Sequence, residues 1–362
     1  MGLDGYAVID LDGHVFEPDS LWDEHLDPAF KSRRPQLRID ERGTTRYEID
    51  GRLIPPGTGR GAGAPEGIME ATTHRVGGIV PKARQADMDA EGIDQAVLYG
   101  AASLGFYALD DADYALALCR AYHDWLADYC SADPDRLKGA AMLPVQSMPH
   151  ALDEARRCVE ELGFVSLTTP CCVGLRNPDS HENDPLYALA EELDVPLGFH
   201  AGGPRFAHDR FVDNYAQLHV IEFPFDIMFC ITNVLCGGVL ERFTRLRVAM
   251  LEAGVGWAPF LVHRLDEHYE KRDGEMPAIT MPPSEYLADG RLVISCEAEP
   301  DLAHTIDALG SHVVAYASDY PHWDAEFPDS VTHIVERDDM SRDVKQAVLA
   351  DNARRILYGG AA

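Results

Sequence analysis

The most constraining feature of this chain of 362 residues is an alternation of short apolar runs with amphipathic helical patterns. Runs such as "QAVLYG", "LKGAAMLP" and "LRVAMLE" resemble buried strands, whereas "PHALDEARRCVEELG" has helical periodicity. Eight strands are predicted, near Val8, Val97, Ala141, Val165, Leu197, Ala249, Ile294 and Val314. Eight parallel strands with intervening helices predict a single α/β domain over residues 1–362, folded as a (β/α)8 TIM barrel.

One long segment after the first strand departs from this rhythm. From about residue 31 to residue 81 the sequence is irregular, and "IPPGTGRGAGAPEG" has the Pro and Gly density of a loop. The segment is too long for an ordinary connection in a barrel. We therefore predict an insertion that covers the barrel mouth as a lid.

Composition excludes several classes of protein. A formal net charge of -30 without clustered Lys and Arg argues against a nucleic-acid binder, which must track phosphates. No apolar run approaches the roughly 18 residues of a transmembrane helix, and the N-terminus lacks a basic flank with an apolar signal core. The eight cysteines show no regular disulfide framework. These features predict a cytoplasmic protein with no nucleic-acid or membrane partner.

Charged and imidazole side chains follow several of the predicted strands. Catalytic groups of TIM barrels lie at the carboxyl ends of the strands, so these side chains are expected at one mouth. They are Asp12, His14 and Glu17 after the first strand, then His200, Glu252, Glu297 and Asp319, with His322 and Asp324 just beyond. Such a cluster would repel itself unless a cation were bound. The pattern predicts a divalent metal site, and its mixture of ligands suits zinc, manganese or iron.

The motifs that carry these residues resemble the amidohydrolase-related family, in the branch of aminocarboxymuconate-semialdehyde decarboxylase and the aromatic-acid decarboxylases. They are "DLDGH", "GFHAGG", "LERFTRLRVAMLEAGVGW", "ASDYPHWD" and "NARRILYG", and they span nearly the whole chain. The resemblance implies a barrel whose metal ligands are Asp12, His14, His200 and Asp319. Relatives commonly pair, so the resemblance also implies a homodimer.

The end of the sixth predicted strand departs from the family pattern. Decarboxylases of the family usually carry a histidine there, whereas "MLEAGVGW" places Glu252. An ionised carboxylate near a cation is a base or a ligand. Once the four implied ligands hold one metal, the surplus residues could hold a second: Glu17, Glu252, His322 and His219.

A carboxylate- and histidine-rich pair of sites without sulfur favours iron, and non-haem iron with an open position activates dioxygen. The resemblance includes a subset of barrels that act as dinuclear non-haem iron monooxygenases. The first functional prediction is therefore such a monooxygenase, which hydroxylates an apolar acid or a thioester-linked substrate.

Two alternatives stay open. The first is a mononuclear zinc or manganese hydrolase or decarboxylase of a carboxylic acid, in which Glu17 caps a helix and His322 supports Asp319. The second is an inactive scaffold subunit, against which the intact ligand set argues.

Aromatic residues near the expected mouth predict a largely apolar small-molecule substrate, although aromatic side chains at such positions are as often ordinary packing. They are Phe16, Tyr99, Trp257 and Trp323. His74, in the insertion, could meet a carboxylate or phosphate of the substrate, although a solvated loop is the plainer interpretation.

Overall fold

The computed structural model describes residues 2–39, 45–54, 75–174, 176–201 and 215–359. Its strands form an eight-stranded parallel sheet and a smaller three-stranded antiparallel sheet. In chain order they are β1 (Ile9–Val15), β2 (Gln36–Ile39), β3 (Thr45–Ile49), β4 (Arg52–Ile54), β5 (Gln95–Gly100), β6 (Leu137–Met142), β7 (Ser166–Pro170), β8 (Leu197–His200), β9 (Val248–Leu251), β10 (Leu292–Cys296) and β11 (Val314–Tyr316).

The eight-stranded sheet runs in the order β1, β5, β6, β7, β8, β9, β10, β11, and each neighbouring pair is parallel. Its two edges are joined beyond the last strand. The amide of His14 donates to the carbonyl of Tyr320 at 2.7 Å, and that of Asp319 donates to the carbonyl of Asp12 at 3.0 Å. The predicted (β/α)8 TIM barrel is confirmed.

Helices lie between the barrel strands along the chain. The α-helices are α1 (Asp19–His25), α2 (Pro81–Glu91), α3 (Ala112–Cys130), α4 (Met148–Glu160), α5 (Asp184–Leu193), α6 (Tyr215–Cys236), α7 (Val239–Arg242), α8 (Ala258–Arg272), α9 (Pro283–Ala288), α10 (Leu302–Leu309), α11 (Ser330–Val335), α12 (Arg342–Gln346) and α13 (Asn352–Tyr358). Short 3-10 turns occupy Pro28–Arg33, Val76–Gly78, Ser103–Ala108, His181–Asn183, Asp273–Glu275 and Ser311–Val313, and Ala347–Asp351 is a π-helical turn.

Two apolar layers surround the strands, because successive side chains of a strand point to opposite faces. The inner layer fills the barrel with Ile9, Leu11, Val97, Tyr99, Ala140, Ala249, Leu251, Val293 and Ala315. The outer layer joins strands to helices and includes the fully buried Trp22 and Tyr122. Because apolar side chains fill the inside of the barrel, a polar side chain that points inward at the end of a strand lies at the barrel mouth.

The segment expected to be irregular contains regular structure. Strands β2, β3 and β4 pair antiparallel within residues 36–54. Arg33 connects this small sheet to the barrel domain, because its guanidinium binds Asp50, between β3 and β4, at 2.9 Å and Asp111, just before α3, at 2.7 Å. The prediction missed these strands because they are short, with three to five residues each. Residues 55–74 lie outside the described part, so the lid stays a prediction.

One helical stretch, Ala216–Cys236, is long and apolar enough to cross a membrane by length and composition alone. In the most apolar part of this stretch, 44% of the residues are buried inside the protein. Cytoplasmic location and a homodimer stay predictions.

A buried carboxyl group near the end of α2 makes stability depend on pH. Glu91 is 3% exposed and accepts hydrogen bonds from the amide (3.0 Å) and hydroxyl (2.7 Å) of Ser330. Burial raises the pKa of Glu91 to about 7, although these hydrogen bonds oppose the rise. The folded protein therefore holds a proton on Glu91 at pH values where the unfolded chain has lost it.

We expect the free energy of unfolding to fall by about 3 kcal/mol on this account as the pH rises from about 4.5 to 7. The Glu91→Gln variant, which cannot ionise, should lose this part of the pH dependence. Urea unfolding of the two metal-free proteins across this pH range measures the difference. Parallel stability curves for the two proteins would contradict the prediction.

Candidate metal centre

The first strand carries two of the candidate ligands and contains a bulge. Its pairing with β5 slips between Asp10 and Gly13, so the strand gains a residue relative to its partner. A bulge changes which residues face inward. Leu11 can therefore belong to the inner apolar layer while Asp12 and His14 also point into the barrel, which strict alternation would forbid.

Asp12, His14 and His200 form a buried group whose ligand atoms all lie within 4.8 Å of one another. Oδ1 of Asp12 is 3.5 Å from Nε2 of His14 and 3.6 Å from Nε2 of His200. None of these three atoms has a hydrogen-bond partner among the described residues. Nδ1 of His200 lies 2.7 Å from the carbonyl of Ala201, which can only accept, so Nδ1 carries a proton and Nε2 is the nitrogen that would bind a cation once it has lost its own proton.

A second group shares His14 with the first and adds Glu252, Asp319 and His322. Oδ1 of Asp319 is 3.3 Å from Nε2 of His14 and 2.7 Å from Nδ1 of His322. The two oxygens of Glu252 reach two different rings, with Oε2 3.0 Å from Nε2 of His200 and Oε1 3.8 Å from Nδ1 of His322. The four residues implied as ligands, together with Glu252 and His322, thus meet at one place.

Opposite charges at this place shift the pKa values in opposite directions. Burial opposes charge on His200, but the carboxylates of Glu252 and Asp12 raise its pKa well above the ordinary value. Burial likewise opposes ionisation of Glu252, and the charge of His200 outweighs it, so the pKa of Glu252 is lowered. Although burial acts against the protonated ring of His322, Asp319 raises its pKa to about 9. The imidazoles supply the positive charge that the carboxylates require.

Two of these residues sit in strained backbone. Glu252 has φ of 57° and Asp319 has φ of 51°, in the left-handed region that costs a non-glycine residue about 1–2 kcal/mol. The backbone amide of each donates a hydrogen bond: that of Glu252 to Ser295 Oγ (3.0 Å) and that of Asp319 to Asp12 O (3.0 Å). Strain of this kind concentrates at functional sites.

A third group of potential ligands, His123, Glu154 and Cys158, lies outside the barrel. Here both ring nitrogens of the histidine have partners: Nδ1 is 2.7 Å from Glu154 Oε1, and Nε2 accepts from the amide of Met142 at 3.0 Å. Glu154 is also bound by Arg157. This group is a satisfied structural network rather than a metal site.

Two of the residues that were predicted to bind a second metal lie outside these two groups. Glu17 accepts hydrogen bonds from the amides of Ala102 (3.0 Å) and Ser103 (2.8 Å), so both of its oxygens anchor the loop after β5. The ring of His219 lies 4.3 Å from that of Phe223, and its Nε2 is 4.0 Å from Asp324. Neither Glu17 nor His219 joins the two groups at the barrel mouth, so their prediction as ligands is not supported.

The predicted substrate-binding residues divide in the same way. Phe16 lies beside His322 with ring centroids 6.1 Å apart, and Trp323 is 39% exposed, so both can flank a substrate. Tyr99 is fully buried below His200, with ring centroids 5.7 Å apart, and forms part of the barrel floor. Trp257 donates Nε1 to the carbonyl of Ala253 at 2.9 Å and packs against the outer core. His74 lies outside the described residues.

Glu297 also belongs to the mouth. It follows Val293 and Ser295 at the spacing of two that keeps a side chain inside the barrel. In the metal-free protein, burial and the charges of Asp319 and Asp324 raise the pKa of Glu297 to about 9, so its carboxyl group is protonated at neutral pH. The position of Glu297 after the seventh barrel strand predicted its place at the mouth. Its protonation state could not be predicted, because it depends on residues that are close in space but not in sequence.

Comparison with known proteins agrees with this geometry. The amidohydrolase family model matches residues 9–358. The chain belongs to the amidohydrolase family. The recognition made from the strand-end motifs is therefore confirmed, and the candidate ligands all lie inside the matched range.

Curated relatives in this family are decarboxylases. The 2-amino-3-carboxymuconate-6-semialdehyde decarboxylase of Dictyostelium discoideum is 25% identical over 280 residues, which cover 76% of this chain and 76% of that protein. The gamma-resorcylate decarboxylase of Rhizobium sp. (strain MTP-10005) is 29% identical over 194 residues, 49% of this chain and 57% of that protein. The chain thus spans little more than half of the length of this second relative.

Solved structures share the fold over almost the whole chain. An amidohydrolase from Mycobacterium avium subsp. paratuberculosis has a TM-score of 0.78 at 23% identity, and covers 98% of this chain and 100% of its own. The 5-carboxyvanillate decarboxylase of Novosphingobium aromaticivorans, solved with manganese, has a TM-score of 0.73 at 23% identity, with 98% and 96% covered.

The prediction of a dinuclear non-haem iron monooxygenase is wrong. The relatives named above are decarboxylases, which fits the alternative that was left open. The error came from counting surplus ligands: Glu17 is held by backbone amides and His219 packs against Phe223.

Proposed function

We propose that this protein is a metal-dependent decarboxylase of a small carboxylic acid. The observation that carries the proposal is the buried trio of Asp12 Oδ1, His14 Nε2 and His200 Nε2, which face one another without hydrogen-bond partners in the described chain. Buried polar atoms are normally satisfied, so this trio fits a bound cation. The decarboxylase relatives favour this reaction over hydrolysis.

Asp12, His14, His200 and Asp319 would hold the cation. Two imidazoles and two carboxylates, with no thiolate, suit manganese or zinc. The manganese bound by the solved 5-carboxyvanillate decarboxylase supports manganese as the first metal to test. A divalent cation here would polarise a substrate oxygen and offset the negative charge of a carboxylate substrate.

Decarboxylation also requires proton transfer within the site. The bond between the substrate carbon and its carboxylate breaks, carbon dioxide leaves, and a proton takes its place on the carbon. Glu252 and Glu297, at the ends of the adjacent strands β9 and β10, have pKa values shifted apart, lowered for Glu252 and raised to about 9 for Glu297. Such a divergence marks a base and an acid. We assign Glu297 as the donor of the proton to that carbon, and Glu252 as the base that accepts a hydroxyl proton of the substrate and returns it to the product after carbon dioxide has left.

The substrate we propose is an aromatic carboxylic acid. Phe16 and the partly exposed Trp323 offer ring faces beside the imidazole of His322. Aromatic side chains stack on flat substrates and exclude water from them. The gamma-resorcylate relative acts on an acid of this kind.

Metal removal tests this proposal. Protein stripped with a chelator should release no carbon dioxide from an aromatic acid substrate, and added Mn²⁺ should restore release, because the cation supplies several kcal/mol of transition-state stabilisation. Carbon dioxide release is measured before stripping, after it, and after addition of Mn²⁺. Unchanged release from metal-free protein would contradict the proposal.

A further inference from the structure

Arg84, on α2, is buried beneath the candidate metal centre without joining it. Its side chain is 1% exposed, and arginine is rarely buried so fully unless its guanidinium is bound on several sides. Nη1 donates to the carbonyl of His14 at 2.9 Å and lies 3.3 Å from the carbonyl of Tyr320. The guanidinium carbon lies 4.6 Å from the centre of the Tyr320 ring, in cation–π contact.

The two carbonyls belong to the two segments that carry candidate ligands. His14 is itself a candidate ligand on β1, and Tyr320 follows Asp319 after β11. One guanidinium therefore spans the seam where the barrel closes. The planar guanidinium directs Nη1 to both carbonyls while its Nη2 faces the carboxylate of Asp10, an arrangement that a single ammonium group cannot reproduce as well.

Asp10 completes the connection from the other side. Its Oδ1 accepts from the amides of Asp12 (3.2 Å) and Ser318 (2.9 Å), and its Oδ2 accepts from the hydroxyl of Ser318 at 2.6 Å. Oδ2 is also 3.7 Å from Nη2 of Arg84. Asp10 thus binds Asp12, a candidate ligand within the bulge, and Ser318, the residue before Asp319.

Gly13 shows how closely this pair packs against the ligand strand. A Cβ atom at Gly13 would lie 2.4 Å from Nη2 of Arg84 and 2.7 Å from Oδ2 of Asp10. Glycine inside a strand marks a close approach of this sort. The glycine of "DLDGH" is therefore needed for the buried pair to reach the backbone of the strand.

We propose that Arg84, with Asp10 and Ser318, is a positioning residue of the metal centre: it sets the distance between the β1 ligands, Asp12 and His14, and the β11 ligand, Asp319. This inference rests on the ligand assignment of the proposed function. It adds that metal affinity depends on a side chain that reaches the ligand segments through the backbone carbonyls of His14 and Tyr320.

The test is a calorimetric titration of metal-stripped full-length protein with Mn²⁺ alone. Arg84→Lys keeps the charge but loses the fork, and we expect Mn²⁺ to bind about 10–100-fold more weakly, the usual effect of losing a group that supports metal ligands. Ser318→Ala, which removes only a hydroxyl, should weaken binding in the same direction and serves if Arg84→Lys does not fold.

Arg355 supplies a matched control, because it also binds backbone carbonyls. Nε donates to Gly290 O at 2.9 Å, and Nη2 donates to His312 O, away from the ligand residues. Arg355→Lys should lower the melting temperature while leaving Mn²⁺ affinity unchanged. The proposal is overturned if Arg84→Lys and Ser318→Ala bind Mn²⁺ like the parent, or if Arg355→Lys weakens binding as much as they do.

The titration needs no substrate, so it separates this proposal from the assignment of the reaction. Loss of affinity in Arg84→Lys would support the positioning role even if no carboxylic acid were decarboxylated. Conversely, His200→Ala measured in parallel checks the ligands: unchanged Mn²⁺ binding there would overturn the ligand assignment and the role of Arg84 with it.

Discussion

His200→Ala is expected to abolish decarboxylation and to remove most of the bound metal while leaving the barrel folded. The imidazole presents its buried Nε2 to the carboxylates of Asp12 and Glu252 at the mouth, so its loss removes a ligand and leaves the apolar layers of the barrel intact. Losing the cation should lower turnover by a factor on the order of 10³ or more, since metal catalysis is worth several kcal/mol. Metal analysis, circular dichroism and turnover are measured on one preparation.

His123→Ala is the control for this variant. His123 is as buried as His200, but both of its ring nitrogens are bound, to Glu154 and to the amide of Met142. This substitution should therefore lower stability and leave the metal content intact. Full metal occupancy and normal turnover in His200→Ala would refute the ligand assignment.

The proton-transfer pair provides the second large effect. Glu252→Gln and Glu297→Gln should each keep the metal and lower turnover by a factor on the order of 10²–10⁴, the usual contribution of general acid–base catalysis. Each amide preserves the shape of the side chain but can neither donate a carboxylic proton nor accept one. Metal content and kcat are measured for both variants.

Glu299→Gln is the matched control. Glu299 lies two residues from Glu297, but its carboxylate accepts a hydrogen bond from the amide of Val255 at 2.9 Å. It should keep nearly normal turnover. Loss of metal from Glu252→Gln would make Glu252 a ligand instead of a base, and normal turnover in Glu297→Gln would remove it as the proton donor.

Much of the fold could be predicted because the barrel strands are short, apolar and separated by helices. β9 is a good example, since its buried residues, Val248–Leu251, form an unbroken apolar run in the sequence. The strands β2, β3 and β4 could not be found in the same way. They lie on the surface, where a partly exposed strand such as Gln36–Ile39 carries no clear apolar pattern.

The residues of the candidate site could be predicted where the barrel fold alone determines their position. Strand ends meet at one mouth, so His200 and Asp319 could be placed together from sequence alone. Glu17 could not be assigned correctly, because its partners are backbone amides of the loop after β5. Arg84 was missed because nothing near it in the sequence reveals that its guanidinium reaches the carbonyl of His14.

Besides the surplus ligands Glu17 and His219, the functional prediction gave too much weight to Glu252. Glu252 was interpreted as a sign of a second metal, yet its Oε2 lies 3.0 Å from His200, where a base beside a single cation would also lie. Sequence alone could not distinguish these roles, because both need a carboxylate at the same strand end.

The most direct test of the central claim is isotopic. Manganese-loaded protein is incubated in D₂O with a panel of aromatic acids that includes 2,6-dihydroxybenzoate and 5-carboxyvanillate, and carbon dioxide and the deuterium content of the product are measured. We predict carbon dioxide release with one deuteron at the vacated carbon, and neither with His200→Ala. No carbon dioxide from any acid of the panel, by protein shown to hold manganese, would contradict the account.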